Sequence, residues 1–423
     1  MATISENLKT IKDSTTAIKQ AILDKGGTIE GNLTTYASAI ANLPSGGGDV
    51  NPTAEKNAVT FYDYDGTIRY SYTAAEFLAL TEMPPLPTQK GLICQEWNWS
   101  YEDAMDYVSE YGILDIGATY ITDDGKTRLY IRIAAEGRMD VPLYFQQTVA
   151  NGVTIDWGDG SATQTLNGTG NVNTSHRYAS VGDYIISLDV ADECTLKLGH
   201  DTATQSVMGG VEISNSSYRT MLHRVEIGKN VELNAAFREC YALTNISIPN
   251  NTSLIGDYCF YYCYSLHSIV LPSAINEIKT QLLRDCYSLH LISMPANVKR
   301  IGSSAIYVCR SLRSIVLPAQ LTYIDAYSID SNRSLTSIII PASVTNISIS
   351  AMGYNYSMAF YDFSHHDAVP TLANANAFTG IPSDCKIIVP DALYDKWVSA
   401  TNWSTYASYI IKKSDWDASK NNQ

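Results

Sequence analysis

Residues 266–272 read Leu-His-Ser-Ile-Val-Leu-Pro. Close copies stand at 243–249 (Leu-Thr-Asn-Ile-Ser-Ile-Pro), 289–295 (Leu-His-Leu-Ile-Ser-Met-Pro), 312–318 (Leu-Arg-Ser-Ile-Val-Leu-Pro) and 335–341 (Leu-Thr-Ser-Ile-Ile-Ile-Pro). The closing prolines, Pro249, Pro272, Pro295, Pro318 and Pro341, are therefore 23 residues apart. A second apolar site keeps the same step at Ile255, Ile278, Ile301, Ile324 and Ile347. A weaker copy, Leu-His-Arg-Val-Glu-Ile-Gly at 222–228, precedes the set at a slightly different spacing, and the pattern decays after Ile349 into a terminal copy. One such unit cannot bury its apolar side alone, but stacked units share a core, with neighbouring strands ~4.8 Å apart. The expected fold of the second half is a solenoid over 205–362, closed by an atypical cap over 363–423.

A fixed period of about 20 to 29 residues with a Leu-x-x-Ile-x-[Ile/Leu/Met] core is that of a leucine-rich repeat. Its Cys-x-x-Leu-x-x-Ile form resembles the BspA-type repeats of bacterial and phage surface proteins. Cys240, Cys263, Cys286 and Cys309 fill one column, with Asn332 in the last place. Adjacent coils would bring these α-carbons to ~5 Å, within disulfide reach. Parallel side chains do not make the tetrahedral shell that zinc needs, so the expected role is packing, with Cys and Asn each satisfying a turn. Beside this column the residue type varies. Tyr241, Tyr264, Tyr287, Arg310 and Arg333 follow it directly, while Arg238, Tyr261, Arg284, Tyr307 and Asp330 stand two places before it. Tyr and Arg offer large contact area at low entropic cost, which suits a receptor-contact surface. The same side chains could instead cover an exposed edge by stacking on one another.

Upstream, Val-Thr-Ile-Asp-Trp-Gly-Asp-Gly at 153–160, followed by His176-Arg-Tyr178 and Val181-Gly-Asp-Tyr184, resembles the PKD family of β-sandwich domains. Gly158 and Gly160 would permit its tight turn, with Trp157, Tyr178 and Tyr184 packing between the sheets. That resemblance implies a sandwich over 138–204. Residues 57–137 read as a small α+β domain. It has one hairpin turning at Asp65-Gly66, helices over TAAEFLAL and SYEDAMDYVSEYG, and a second hairpin about Asp123-Asp124-Gly125-Lys126. At the N-terminus, Ile4, Leu8, Ile11, Ile18 and Ile22 make a heptad seam over a helical segment, 1–43, before the Gly-rich linker at 44–56. The seam suits oligomerisation, with a trimer favoured, or docking on a larger assembly. An amphipathic helix packing on its own chain is the alternative.

The formal charge is -14, which disfavours nucleic-acid binding, and no run of about 18 apolar residues exists to span a membrane. The opening residues do not read as a secretory signal and the last residues are polar, so neither a signal nor an anchor is expected. Asp156 with Asp159, Asp63 with Asp65, and Asp123 with Asp124 could be carboxylate pairs or calcium ligands, but each sits by a Gly in a turn, where Asp is favoured for backbone reasons. His365-His366-Asp367 reads as a surface loop. No G-x-S-x-G, H-E-x-x-H or P-loop occurs, so no catalytic residue, metal site or cofactor is expected. The opening NLKTIKDSTTAIKQAI and the domain around FYDYDGTIRYSYTAAEFLAL resemble parts of modular phage tail proteins, and the VPDALYDKWVSATNWSTYASYI end is similar to the ends of BspA-type repeat proteins in phages of gut bacteria. Together these likenesses imply a virion appendage assembled in the host cytoplasm. It would dock to other virion proteins by its N-terminus and bind a host surface glycan or protein through its repeats. A BspA-type bacterial adhesin and a purely structural virion part are the alternatives.

Overall fold

The computed structural model describes residues 58–420, except 64–66, 89–91, 98, 100, 123, 200–205 and 210–217. The heptad seam of Ile4, Leu8, Ile11, Ile18 and Ile22, the following short helix and the 44–56 linker lie outside the described residues. Strand β1 (Val59–Tyr62) pairs antiparallel with β2 (Ile68–Tyr72), as the expected first hairpin requires. Helix α1 (Ala74–Leu78) opens with a capping box. The Thr73 hydroxyl accepts from the Glu76 N–H, and the Glu76 carboxylate accepts the Thr73 N–H at 2.8 Å. Strand β3 (Leu92–Trp97), helix α2 (Tyr101–Tyr111) and strand β4 (Leu114–Thr122) complete a sheet ordered β2-β1-β4-β3. Its core gathers Val59, Phe61, Phe77, Trp97, Val108 and Ile116.

The second expected hairpin does not form. β4 keeps β1 and β3 as partners, while β5 (Thr127–Ile133) crosses into the next unit. The cause lies in its side chains: Leu129, Ile131 and Ile133 alternate onto one face and are buried in a different core from that of β1–β4. The strand placed in the α+β domain by its sequence therefore belongs to the unit after it.

That unit has two sheets. Its strands are β5, β6 (Asp140–Gln147), β7 (Val153–Asp156), β8 (Gln164–Thr165), β9 (Gly170–Arg177), β10 (Gly182–Val190), β11 (Leu196–Leu198), β12 (Leu222–Glu226), β13 (Val231–Leu233) and β14 (Asn245–Ser247). One sheet runs β14-β12-β5-β10-β7-β8, the other β13-β11-β6-β9. Inward residues of both, such as Leu143, Phe145, Ile155 and Leu188, share one core. After β7, Trp157 is buried and its carbonyl accepts the Tyr178 hydroxyl at 2.8 Å. Gly158 has φ +76°, and a Cβ there would lie 2.3 Å from the Ile185 carbonyl oxygen, so the turn has room only for glycine.

The solenoid grows directly from these sheets. β12 is antiparallel to β5 on one side and parallel to β14, the first clean repeat, on the other. Likewise β13 is parallel to β11, and Leu233 bridges Ile255, the first residue of the periodic isoleucine column. From there roughly eight turns follow. One face carries Ser268–Val270, Leu291–Ser293, Ser337–Ile339, Phe360–Asp362, Lys386–Val389 and Ile410–Lys412 as short parallel strands. A second face pairs Glu277–Ile278, Arg300–Ile301, Tyr323–Ile324, Asn346–Ile347 and Thr371–Leu372. Register steps of 23, such as Arg300 to Tyr323, match the sequence period. Leu243, Leu266, Leu289, Leu312 and Leu335 are fully buried between the faces. Each such side chain contributes about 1.5–3 kcal/mol.

The far end closes with aromatic side chains. Helix α3 (Tyr394–Ser399) buries Trp397, and the Trp403 indole N–H donates to the Pro370 carbonyl at 2.8 Å. Tyr406 donates to the Ala375 carbonyl at 2.5 Å and accepts the Phe378 N–H at 3.0 Å. Helix α4 (Lys413–Lys420) ends the described chain. Trp403→Ala removes a buried ring and one of these ties, so it should cost about 3–5 kcal/mol. Hydrogen exchange should then show early loss of protection over 371–389 while 245–301 stays protected; uniform loss along the coils would contradict a cap that seals only the last turn.

Candidate functional site: the turn face

The third side of each coil is a turn, not a strand. Ala235, Tyr258, Gln281, Ser304, Tyr327 and Ser350 all have positive φ, and so do Glu239, Tyr262, Asp285, Val308, Ser331 and Tyr354 four residues later, at +48° to +62°. None is glycine, so each costs about 1–2 kcal/mol. Bonds into the next coil offset that strain. The N–H groups of Tyr258, Phe260 and Tyr262 donate to the carbonyls of Thr280, Leu282 and Arg284 at 2.9–3.0 Å. One coil on, Gln281, Leu283 and Asp285 repeat the pattern onto Ser303, Ala305 and Tyr307.

Directly behind this ladder lies the cysteine column. Cys263, Cys286 and Cys309 donate their thiols to the carbonyls of Phe237, Phe260 and Leu283 at 3.1–3.2 Å. Asn332 and Asn355 make the same bond through their amides, to Ile306 and Ile329, at 2.9 Å. Their side-chain oxygens also accept the backbone N–H of Cys309 and Asn332. Cys and Asn are thus interchangeable here because both can donate to a carbonyl one coil back. Burial raises the thiols of this column, that of Cys240 to about 12, so they stay protonated donors, and none of the eight cysteines is in a disulfide.

In front of the ladder, the varied side chains form two stacks along the solenoid. Tyr241, Tyr264 and Tyr287 lie ring on ring at 5.1 and 4.7 Å, and the Arg310 guanidinium continues the stack 4.2 Å over Tyr287. Arg333 then stands 5.8 Å over Tyr356. In the other column Arg238 and Arg284 sandwich Tyr261 at 4.9 and 5.7 Å, and Arg284 also lies 4.9 Å over Tyr307. Tyr262 joins the columns, 4.0 Å from Tyr261 and 5.6 Å from Tyr264. Stacking and presentation therefore coexist: side chains that pack on their neighbours also form a continuous Tyr and Arg surface. Tyr354 and Tyr356, 39% and 54% exposed, stand one period past Ser331 and Arg333, beyond the last clean copy of the repeat, which closes at Pro341. Tyr262 lies between the columns and Tyr258 beside Tyr261 and Arg238, at places where the residue types follow no pattern.

Asp330 ends the Arg/Tyr column differently. It is buried, its Oδ1 accepts the Ser331 hydroxyl at 2.5 Å, and its Oδ2 has no partner. Burial raises its carboxyl to about 7.

Asp65 and Asp123 lie outside the described residues, and the remaining polar candidates are occupied structurally. Asp156 and Asp159 accept the N–H groups of Gly158 and Ser161, and Asp159 also bonds His176 at 2.6 Å. Bonds from Ser161 and His176 lower Asp159 to about 2. Asp63 is buried between Arg69 and the Tyr120 hydroxyl, and Asp124 pairs with Arg128. The expected surface loop at 365–367 is only partly one. His365 and Asp367 are exposed, but His366 is buried with its ring 6.0 Å from Trp397, because the cap's aromatics close over it. Among the described residues no group of three His, Cys, Asp or Glu could hold a metal ion. A cavity by Asn234, Asp257, Glu277, Lys279 and Arg300 is lined with ion pairs, Arg300–Glu277 at 3.7 Å among them.

Residues 233–359 match the BspA type Leucine rich repeat region, in six copies. No curated protein matches the chain. Among solved structures it is similar to a leucine-rich repeat protein from Bacteroides ovatus ATCC 8483, at 22% identity and a TM-score of 0.34. That match covers 46% of this chain and 53% of the other, so it spans about half the length of the Bacteroides protein. The T. pallidum leucine rich repeat protein is 19% identical, with 48% and 86% covered and a TM-score of 0.31. A leucine rich cell surface protein from Faecalibacterium prausnitzii A2-165 is 17% identical, with 47% and 76% covered and a TM-score of 0.22.

Two outcomes follow from the ladder and its end. Cys286→Asn should melt within a few degrees of the parent or above it, whereas Cys286→Ala should lose about 1–2 kcal/mol with its donor and volume; equal melting of the two would remove the hydrogen-bond account. For Asp330 the folded carboxyl sits at about 7 against about 3.8 unfolded, so the folded state holds the proton more tightly. Stability should therefore fall as pH rises through that window. Asp330→Asn should stabilise by on the order of 2 kcal/mol at pH 8 and by almost nothing at pH 4. Thermal melts across pH test this, and a gain independent of pH would refute it.

Proposed function

We propose that the chain is a non-catalytic, adhesin-type attachment protein that engages a cell surface through the turn face of its solenoid. The observation that carries this is the stacked Tyr and Arg surface of Tyr241, Tyr264, Tyr287, Arg310 and Arg333 beside Arg238, Tyr261, Arg284 and Tyr307. Rings and guanidiniums held by their neighbours lose little freedom on contact, which favours binding. The BspA type repeat match supports a surface role of this kind.

In our reading the protein is a phage virion appendage, a tail fibre or similar, which docks to other virion proteins by its N-terminal segment and forms a trimer there. A PKD-like sandwich and the small domain before it act as spacers, and the ligand is a host glycan or protein. The repeat match supports a BspA-type bacterial surface adhesin equally well, and the binding face is the same in both.

Fluorescently labelled full-length protein should stain a strain-selective subset of gut bacteria in flow cytometry. The Tyr264→Ala/Arg284→Ala variant, with circular dichroism unchanged, should lose about tenfold or more of that staining, since each is an anchor of the stack. Undiminished staining by the folded variant would refute this face. Absence of staining by the parent on every strain would favour a structural virion part.

A further inference from the structure

The turn face is not uniform along its length. Toward its start the cations are neutralised: Arg238 pairs with Glu239 at 3.0 Å, Arg284 with Asp285 at 3.2 Å, and Arg219 with Glu239. Farther on the pattern changes. Arg310, Arg313 and Arg333 are exposed and make no ion pair among the described residues, in a chain whose formal charge is -14. Asp285 is the carboxylate that feels Arg310, and it is buried and already held by Arg284. Arg333 lies over Tyr356, one of the three most open tyrosines of the face: Tyr327, Tyr354 and Tyr356 are 41%, 39% and 54% exposed, and Tyr354 and Tyr356 meet edge to face at 6.2 Å.

We propose that this stretch, Tyr287-Arg310-Arg333-Tyr356 with Arg313 alongside, binds an acidic polysaccharide lying along the solenoid axis, one charged sugar per coil. The inference rests on the attachment reading and names its ligand class. Arg310 and Arg333 occupy the same place on successive coils, so their guanidiniums repeat at the coil rise of ~4.8 Å. That is close to the length of one sugar along a chain. Each guanidinium lies against a ring, Tyr287 at 4.2 Å and Tyr356 at 5.8 Å, which fixes its plane for bidentate contact with a carboxylate. A neutral glycan would leave two neighbouring cations without a counter-charge. An acidic peptide fits the repeat poorly, since an extended chain sets same-face side chains ~6.8 Å apart. The exposed tyrosine rings suit the C–H faces of a sugar.

The test is binding of the full chain to polygalacturonate, polymannuronate and polysialic acid, with dextran as neutral comparator and polyglutamate as peptide comparator, by isothermal titration. At least one acidic polysaccharide should bind, and its affinity should fall as salt rises from about 50 to about 500 mM. The Arg310→Ala/Arg333→Ala variant should lose about tenfold or more, and Tyr356→Ala a smaller factor. The substituted arginines are exposed, so melting should not change, and the salt series on the parent stands independently of any variant. Failure to bind all three acidic polymers, equal binding of dextran or polyglutamate, or an unchanged double variant would overturn the proposal. If the parent still stains cells and Tyr264→Ala/Arg284→Ala abolishes this while Arg310→Ala/Arg333→Ala does not, attachment stands and the ligand class falls.

Discussion

A 23-residue coil has one apolar side and two open edges, and neither can be satisfied within the coil itself. Every coil therefore depends on its neighbours for core contacts and for backbone partners. The constraint is sharpest at the two ends of the stack, where a neighbour is missing. Here the N-terminal end is sealed by sheet continuity. β5 and β11, strands of the preceding two-sheet unit, pair with β12 and β13 of the first turn, so both faces of the solenoid are extensions of sheets already formed. One buried cluster runs from Leu129 through the repeats to Ile410. The close fit at this joint is visible at Gly228, where a Cβ would come within 2.2 Å of the Gly125 carbonyl oxygen. At the other end the supply of repeats stops, and Trp397, Trp403 and Tyr406 take over what the next leucine and isoleucine would have done.

The same dependence shapes the turn face. Twelve non-glycine residues with positive φ would be unfavourable in an isolated turn. They persist because each strained turn presents N–H groups to the carbonyls of the next coil, and because a thiol or amide in the column behind ties it to the coil before. Folding thus uses mainly the backbone and the inward column, leaving the outer columns to pack on one another and, at Arg238 and Arg284, to pair with the turn carboxylates Glu239 and Asp285. That freedom is what a binding surface needs. A tyrosine can follow an arginine, or a second tyrosine, without disturbing the coil.

Much of the solenoid is legible in the sequence because its cause is local and repeated. An isoleucine every 23 residues has one explanation, and the structure places Ile255, Ile278, Ile301, Ile324 and Ile347 all within the core. Elements decided by partners far along the chain are less legible. The alternation of Leu129, Ile131 and Ile133 identifies a strand without identifying its sheet, and proximity to β4 suggested a hairpin that the deeper core of the second unit outcompetes. His366 looks like a loop residue because Trp397, whose ring packs against it, lies more than a repeat downstream. The turn face stands between these cases. Its columns follow from the period, but the left-handed backbone that supports them leaves no mark, since Ala, Tyr, Gln and Ser fill those places where glycine would have signalled it.

The two kinds of column also differ in what substitution does to them. In the inward column the replacement of Cys309 by Asn332 one coil later conserves a hydrogen bond, so chemistry changes while geometry stays. In the outer columns the change from Tyr287 to Arg310 conserves the stack and alters the charge presented outward. A flat guanidinium can replace a phenol ring within a stack because both offer a planar face at about the same separation. Where the side chain stays exposed, as at Arg310 and Arg333, charge can therefore change along the axis coil by coil while the stack is kept. A surface assembled this way varies most easily in the direction of the solenoid, and an extended, repeating ligand is the kind that such variation can distinguish.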